Sequence, residues 1–235
     1  MDKKEVKFSE WIEQGFGLYK ENFVVLVLAS LIAFVISAVT FGILSGPMVA
    51  GILIITLSLF DKKEPKPEAG QVFKGFDFFL NSFLFVLIWG IAFFVASFIL
   101  AFIPILGQIL TIFLFYAAQA ALMFGLFLIV DRRMDFWPAS VESFNRVKTN
   151  FWPFLGLSIV SGIIGGIGAI ACGIGVVITA PIHACILTVA YRNVFDEAAG
   201  DIIQEGKNPQ ETEEDLRKEA ARLREEIAEL KKNDD

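Results

Sequence analysis

The sequence predicts an all-α integral membrane protein: six transmembrane helices as three repeated hairpins with interfacial amphipathic helices, plus a C-terminal cytoplasmic coiled-coil helix. Three observations predict this fold class. Of the 235 residues, 55% are hydrophobic and only 20% are charged, which is too apolar for an ordinary soluble domain. Three stretches free of charge are each long enough for two crossings. A heptad pattern lies close to the C-terminus.

The N-terminal segment predicts an interfacial helix that stays on the chain. It carries acidic residues among its lysines and has no small-residue cleavage site, so we expect no cleaved signal peptide. Trp11, Phe16 and Tyr19 share one helical face opposite Glu10 and Glu13. We therefore expect a helix along the membrane surface before the first hairpin.

The predicted membrane helices follow from the charge-free stretches, which are Phe23–Phe60, Phe78–Val130 and Phe151–Tyr191. About 20 apolar residues cross a hydrocarbon core of roughly 30 Å as a helix, so each stretch is long enough for two. Helix breakers near Pro47, Pro104 and Gly173 divide the stretches. The second predicted span, Met48–Phe60, is short for a full crossing.

The distribution of Lys and Arg predicts the orientation of the helices. The turns inside the three hairpins contain no charged residue, and all Lys and Arg residues lie on the other side. The positive-inside rule then places both termini in the cytoplasm, in a multi-pass protein of the cytoplasmic (inner) membrane.

An internal repeat indicates one building unit used three times, over residues 8–61, 73–131 and 136–196. The first and third units share four residues at one constant offset: Phe16, Lys20, Asn22 and Phe23 match Phe144, Lys148, Asn150 and Phe151. Each unit ends on an acidic residue, at Asp61, Asp131 and Asp196. We interpret these acids as marking helix exits rather than as a catalytic triad.

The predicted spans offer little for catalysis. They contain no Asp, Glu, Lys or Arg and a single histidine, so a nucleophile with its base or a set of metal ligands is not available. Cys172 and Cys185 lie in apolar stretches, where neither a disulfide nor a metal site is expected. The sequence predicts a protein that is not an enzyme, binds no cofactor or metal, and has no nucleic-acid partner.

Polar and basic residues give two sets of candidate binding groups. Uncharged polar residues in the predicted spans could join helices by hydrogen bonds or line a polar route; they are Asn81, Gln108, Gln119 and His183. Basic residues at the predicted membrane boundary are candidates for contact with anionic lipid headgroups; they are Lys20, Arg132, Arg133 and Lys148.

Small residues form two rows in the fifth predicted span. Ser161, Gly165 and Ala169 lie along one row, and Gly162 and Gly166 along the other. Such rows allow a second helix backbone to approach closely. The partner helix is either another span of the same chain or a second protomer.

The C-terminal tail predicts a linker over residues 197–212 and a helix over residues 213–232. Apolar residues occupy the a and d positions of a heptad; they are Leu216, Ala220, Leu223, Ile227 and Leu230. A parallel homo-oligomer through these residues and the Gly-rich span is the first interpretation. The alternative is a single helix resting on the cytoplasmic face.

Four sequence motifs carry a family resemblance: GFGLYKENF, SGPMVAG, VDRRMDFWPASVESF and ITAP. Over roughly Phe8 to Phe195 the chain resembles a broad group of poorly characterised bacterial polytopic membrane proteins. The group is related to the membrane domains of membrane-anchored glycerophosphodiester phosphodiesterases. The phosphodiesterase catalytic domain has no counterpart here, so the resemblance implies a membrane domain without that activity.

Together these features predict a non-enzymatic, homo-oligomeric membrane protein with membrane lipids as partners. One hypothesis is a scaffold that organises or shapes the bilayer. The alternative is a channel or carrier for a small solute or lipid, which predicts a polar route lined by Asn81, Gln108, Gln119 or His183.

Overall fold

The computed structural model describes residues 8–170 and 175–195, and every regular element among them is a helix. Within these residues nine α-helices follow one another: α1 Phe8–Glu21, α2 Phe23–Val39, α3 Ser45–Phe60, α4 Phe79–Leu100, α5 Leu106–Leu122, α6 Gly125–Arg132, α7 Phe136–Lys148, α8 Phe151–Gly166 and α9 Gly175–Phe195. Two 3₁₀ segments accompany them, Ala69–Phe78 before α4 and Ile167–Ile170 after α8. The prediction of an all-α chain is confirmed for these residues.

The chain divides into two compact units, residues 1–192 and residues 193–235. Of the second unit, the structure describes only residues 193–195, which end α9. The predicted linker and the five heptad residues therefore lie outside the described residues, as does Cys172. All contacts given below lie within the first unit.

Several helices are long and apolar enough to cross a membrane, as the sequence predicts. In the part of the chain that the structure describes, three qualify individually: Ala69–Leu100, Leu106–Arg132 and Gly175–Phe195. Two bent pairs, α1 with α2 and α7 with α8, raise the number to five if each pair is one crossing. The remaining apolar helix, α3, has 16 residues and is about 24 Å long at 1.5 Å per residue. Six spans in three hairpins therefore stay a prediction.

Two sharp bends set the amphipathic helices apart from the apolar ones. The chain turns by 88° between α1 and α2 and by 109° between α7 and α8. Asn22 and Asn150 precede α2 and α8, with similar backbone angles of φ −124°, ψ 23° and φ −133°, ψ 50°. These asparagines are a matched pair in the predicted repeat. The amphipathic helices thus meet the apolar ones nearly at right angles.

The short helix α3 packs backbone to backbone against the 3₁₀ segment Ala69–Phe78. A Cβ on Gly51 would overlap the carbonyl of Val72, and one on Gly75 would overlap the carbonyl of Pro47. Val72 is completely buried. Glycine is required at both positions because no side chain fits between the two backbones. This close packing makes α3 a central element of the fold.

Burial differs widely between the long apolar helices. Only 6% of the most apolar stretch of Ala69–Leu100 is buried, against 67% for α9. Phe94 and Phe98 on α4 are 70% and 59% exposed. A continuous apolar surface of this kind is unfavourable in water and needs lipid or another protein surface against it. The structure thus has a well-packed side around α3 and α9 and an open apolar side along α4.

Candidate functional site: an ionic cluster and an apolar cavity

Arg192 near the end of α9 binds two aspartates at once. Its Nε and Nη2 atoms donate to the two carboxylate oxygens of Asp61 at 3.0 and 2.7 Å. Nη1 and Nη2 donate to the oxygens of Asp131 at 2.8 and 3.1 Å. Both contacts use the fork geometry in which guanidinium and carboxylate pair most strongly. The Arg192 side chain is only 8% exposed, so little water weakens these bonds.

Neighbouring side chains complete this ionic cluster. The hydroxyl of Tyr191 donates to Asp131 at 2.9 Å, and its ring stacks on Phe127 with the ring centroids 5.0 Å apart. Lys63 lies 3.4 Å from Asp61. Because Asp61 follows α3 and Asp131 belongs to α6, the cluster joins α3, α6 and α9 at one end. Its chemistry is that of a structural clamp, because both oxygens of each carboxylate accept hydrogen bonds from Arg192.

The sequence identified Asp61 and Asp131 as recurring acids at helix exits, but it missed their shared partner. Arg192 could have been identified from its position directly after the last apolar stretch. Asp61 and Asp131 end the first two predicted units, and a basic residue at the matching end of the third is a natural counter-ion for them. Asp196, the third recurring acid, lies outside the described residues.

A second feature is a cavity of about 540 Å³ between α3, α4, α5, α8 and α9. Leu126 and Phe127 of α6 also line it. Its walls are almost entirely aliphatic and aromatic, with Leu53, Phe93, Phe115 and Leu187 among them. The volume lies within the roughly 300–1,000 Å³ typical of small-molecule sites. Among the described residues that form its walls, none is Asp, Glu, Lys or Arg. The cavity therefore suits a predominantly apolar occupant.

Three polar side chains interrupt the apolar walls: Gln119 from α5, Ser158 from α8 and His183 from α9. Oε1 of Gln119, Oγ of Ser158 and Nδ1 of His183 are buried without a hydrogen-bond partner among the described residues. Leaving a buried polar atom unpaired costs about 1–3 kcal/mol. Unpaired buried atoms of this kind are candidates for pairing with a ligand group or an ordered water.

Two glycines of α8 lie beside two of these polar residues. A Cβ on Gly162 would lie 3.6 Å from Oε1 of Gln119, and a Cβ on Gly165 would lie 2.9 Å from Cβ of His183. Ser158 is one helical turn before Gly162. Both glycine contacts join α8 to helices of the same chain, whereas Gly166 has open space beside it. Two of the four predicted intramembrane polar residues therefore meet at this cavity.

The other two predicted polar residues lie elsewhere. Asn81 Nδ2 donates to Oδ1 of Asp135 at 3.2 Å, and its Oδ1 accepts from the Phe136 N–H at 3.3 Å. This pair of bonds holds the start of α7 against α4. Gln108 is exposed on the first turns of α5. Neither residue lines the cavity.

The predicted headgroup-binding residues are exposed at helix ends. Lys20 lies in the last turn of α1 and Arg132 in the last turn of α6. Arg133 lies 5.9 Å from the ring centroid of Phe78. Lys148 donates to Oδ1 of Asn145 at 2.7 Å. Basic side chains at helix C-termini interact favourably with the negative ends of the helix dipoles. Their contact with lipid headgroups stays a prediction.

Comparison with protein-family models, with curated proteins and with solved structures finds no match to this chain. The resemblance to the membrane domains of glycerophosphodiester phosphodiesterases therefore stays a prediction.

Proposed function

We propose that this chain is a non-enzymatic membrane protein that holds or carries a lipid-like molecule in the cavity beside α8. The observation that supports this function best is an apolar cavity whose lining residues include three that each have a buried, unpaired polar atom, Gln119, Ser158 and His183. A lipid has the matching chemistry, because its chain fills apolar space and its polar end supplies hydrogen bonds. Lipid carriage is thus favoured over passage of a small hydrophilic solute.

The proposed topology has six spans in three hairpins. The protein lies in the cytoplasmic (inner) membrane, and both termini lie in the cytoplasm. Two of the hairpin turns, residues 40–44 and 101–105, contain no charged residue. The short α3 is held deep in the protein by its packing against Val72, so it needs less contact with lipid than an isolated helix. The ionic cluster at the exits of α3, α6 and α9 belongs to the cytoplasmic side in this topology.

The test is to purify the full chain in mild detergent and to measure co-purified lipid by mass spectrometry. Ala118→Phe fills the cavity from α5, since Ala118 is one of its lining residues. Ala92→Phe is the matched control, because Ala92 lies on the exposed part of α4. We expect Ala118→Phe to lose most of the tightly bound lipid and Ala92→Phe to retain it. Equal retention by both variants would overturn the proposed function.

A homo-oligomeric scaffold that organises the bilayer is the second candidate. The exposure of α4 favours it, since only 6% of its apolar stretch is buried within the chain. The two amphipathic helices, bent by 88° and 109° from their neighbours, are suited to lying in one leaflet. The mass of the protein in native detergent, with and without residues 197–235, tests this candidate. A monomer in both cases would remove its basis.

A further inference from the structure

We infer that the cavity selects a neutral lipid with a free hydroxyl, such as a diacylglycerol, over a lipid with a phosphate headgroup. This inference rests on the proposed function, because it assigns a ligand class to the same cavity. It follows from the chemistry of the walls and of the three unpaired atoms.

The walls argue against an anionic headgroup. A phosphate that leaves water needs cations or several N–H donors around it, since an uncompensated buried charge is strongly unfavourable. Among the described lining residues there is no Lys or Arg. Arg192, which could have served, is already bound to two carboxylates through four hydrogen bonds. The cavity therefore has no strong anion-binding group.

The three unpaired atoms favour a hydroxyl group. Oε1 of Gln119 is an acceptor, Oγ of Ser158 both donates and accepts, and Nδ1 of His183 does either according to its tautomer. An alcohol O–H is itself both donor and acceptor, so it can pair with any of these atoms. Ser158 is only 1% exposed, so the occupant must come into the protein to reach it. An ester or alkane without a hydroxyl would leave the acceptors unpaired.

The three polar residues lie along one part of α8. Ser158, Gly162 and Gly165 extend over about two helical turns, and the glycines admit the side chains of Gln119 from α5 and His183 from α9. Because this stretch is about 10 Å long, one hydroxyl pairs with one of these residues, and we expect it to use Oε1 of Gln119, which lies beside Gly162. The hydrocarbon chain of the same molecule then extends along Phe93 and Phe115.

The experiment compares two lipids that differ only in the headgroup. The full chain, stripped of lipid in detergent, is titrated with dioleoylglycerol and with dioleoylphosphatidic acid, and binding is followed by native mass spectrometry. We expect dioleoylglycerol to bind at least tenfold more tightly. Equal binding of the two lipids would overturn the hydroxyl selectivity and leave the proposed lipid binding intact. Binding of neither lipid would overturn both.

Matched variants test the role of the polar atoms. Gln119→Leu is expected to weaken dioleoylglycerol binding about fivefold, the equivalent of one net hydrogen bond. Gln108→Leu, the same change in the same helix but outside the cavity, is expected to have no effect. Binding of trioleoylglycerol, which has no hydroxyl, is expected to be insensitive to either change. If Gln119→Leu binds dioleoylglycerol as the unaltered chain does, the three atoms hold only water and the inference is wrong.

Discussion

Replacement of Arg192 with methionine should destabilise the membrane domain strongly, because it leaves Asp61 and Asp131 close together without their counter-ion. Removing one partner of a buried ion pair costs about 3–5 kcal/mol. The two carboxylate side chains are 22% and 20% exposed, so residual hydration lowers our expectation to about 2–4 kcal/mol. Since 1 kcal/mol changes Tm by roughly 2–4 °C in a domain of this size, Tm should fall by at least about 4 °C.

The assay is thermal unfolding of the full chain in non-ionic detergent, with two controls. Lys63→Met removes an ammonium group that is 59% exposed and 3.4 Å from Asp61, so its Tm should change by less than about 2 °C. Combining Arg192→Met with Asp61→Asn and Asp131→Asn removes the uncompensated charges and should restore most of the lost stability. The clamp would be refuted if Arg192→Met melted like the unaltered protein, or if the triple variant melted no higher than Arg192→Met.

Three further predictions concern packing and buried polar groups. Gly51→Ala should lower the free energy of unfolding by about 1–3 kcal/mol, because the new Cβ overlaps the backbone of the adjacent 3₁₀ segment. The control Gly17→Ala adds a Cβ in open space and should be neutral or slightly stabilising in chemical denaturation. Thr188→Val removes a hydroxyl 2.8 Å from Oγ1 of Thr56 and should cost about 0.6–1.5 kcal/mol in the same assay; an unchanged midpoint would show that this contact contributes nothing. Ser158→Ala removes an unpaired buried hydroxyl. It should raise the free energy of unfolding of the lipid-free protein by about 1 kcal/mol, and with it the Tm; a lower Tm would mean that the hydroxyl is paired.

The helical class was predictable from the sequence because its cause is local. Backbone groups in lipid must be paired within the protein, and long charge-free stretches without the alternation of barrel strands can do this only as helices. The predicted repeat also paired Asn22 with Asn150, and the structure bends sharply at both. These features depend on composition and neighbouring residues, which a single sequence records directly.

The number of crossings was harder to predict, and α3 shows why. Its 16 residues fall short of a typical span, but the backbone contact at Gly51 buries the helix among its neighbours. Whether a short apolar helix crosses the bilayer depends on what surrounds it. That information is not contained in the length of the apolar stretch.

The candidate site was only partly predictable because it depends on helix pairing. Gln119 and His183 were identified as polar residues in apolar stretches, but so were Asn81 and Gln108, which do not reach the cavity. Residue type and spacing do not tell which helices become neighbours. The clamp at Arg192 was missed for the same reason, since its two carboxylates are 131 and 61 residues away along the chain.

The most direct test of lipid carriage is an experimental structure of the full chain in a lipid nanodisc that contains dioleoylglycerol. Lipid carriage predicts elongated density between α5 and α9, with its polar end beside Gln119, Ser158 and His183 and its tail along the aromatic walls. A cavity that is closed by side chains, or that contains only ordered water at those three residues, would contradict it.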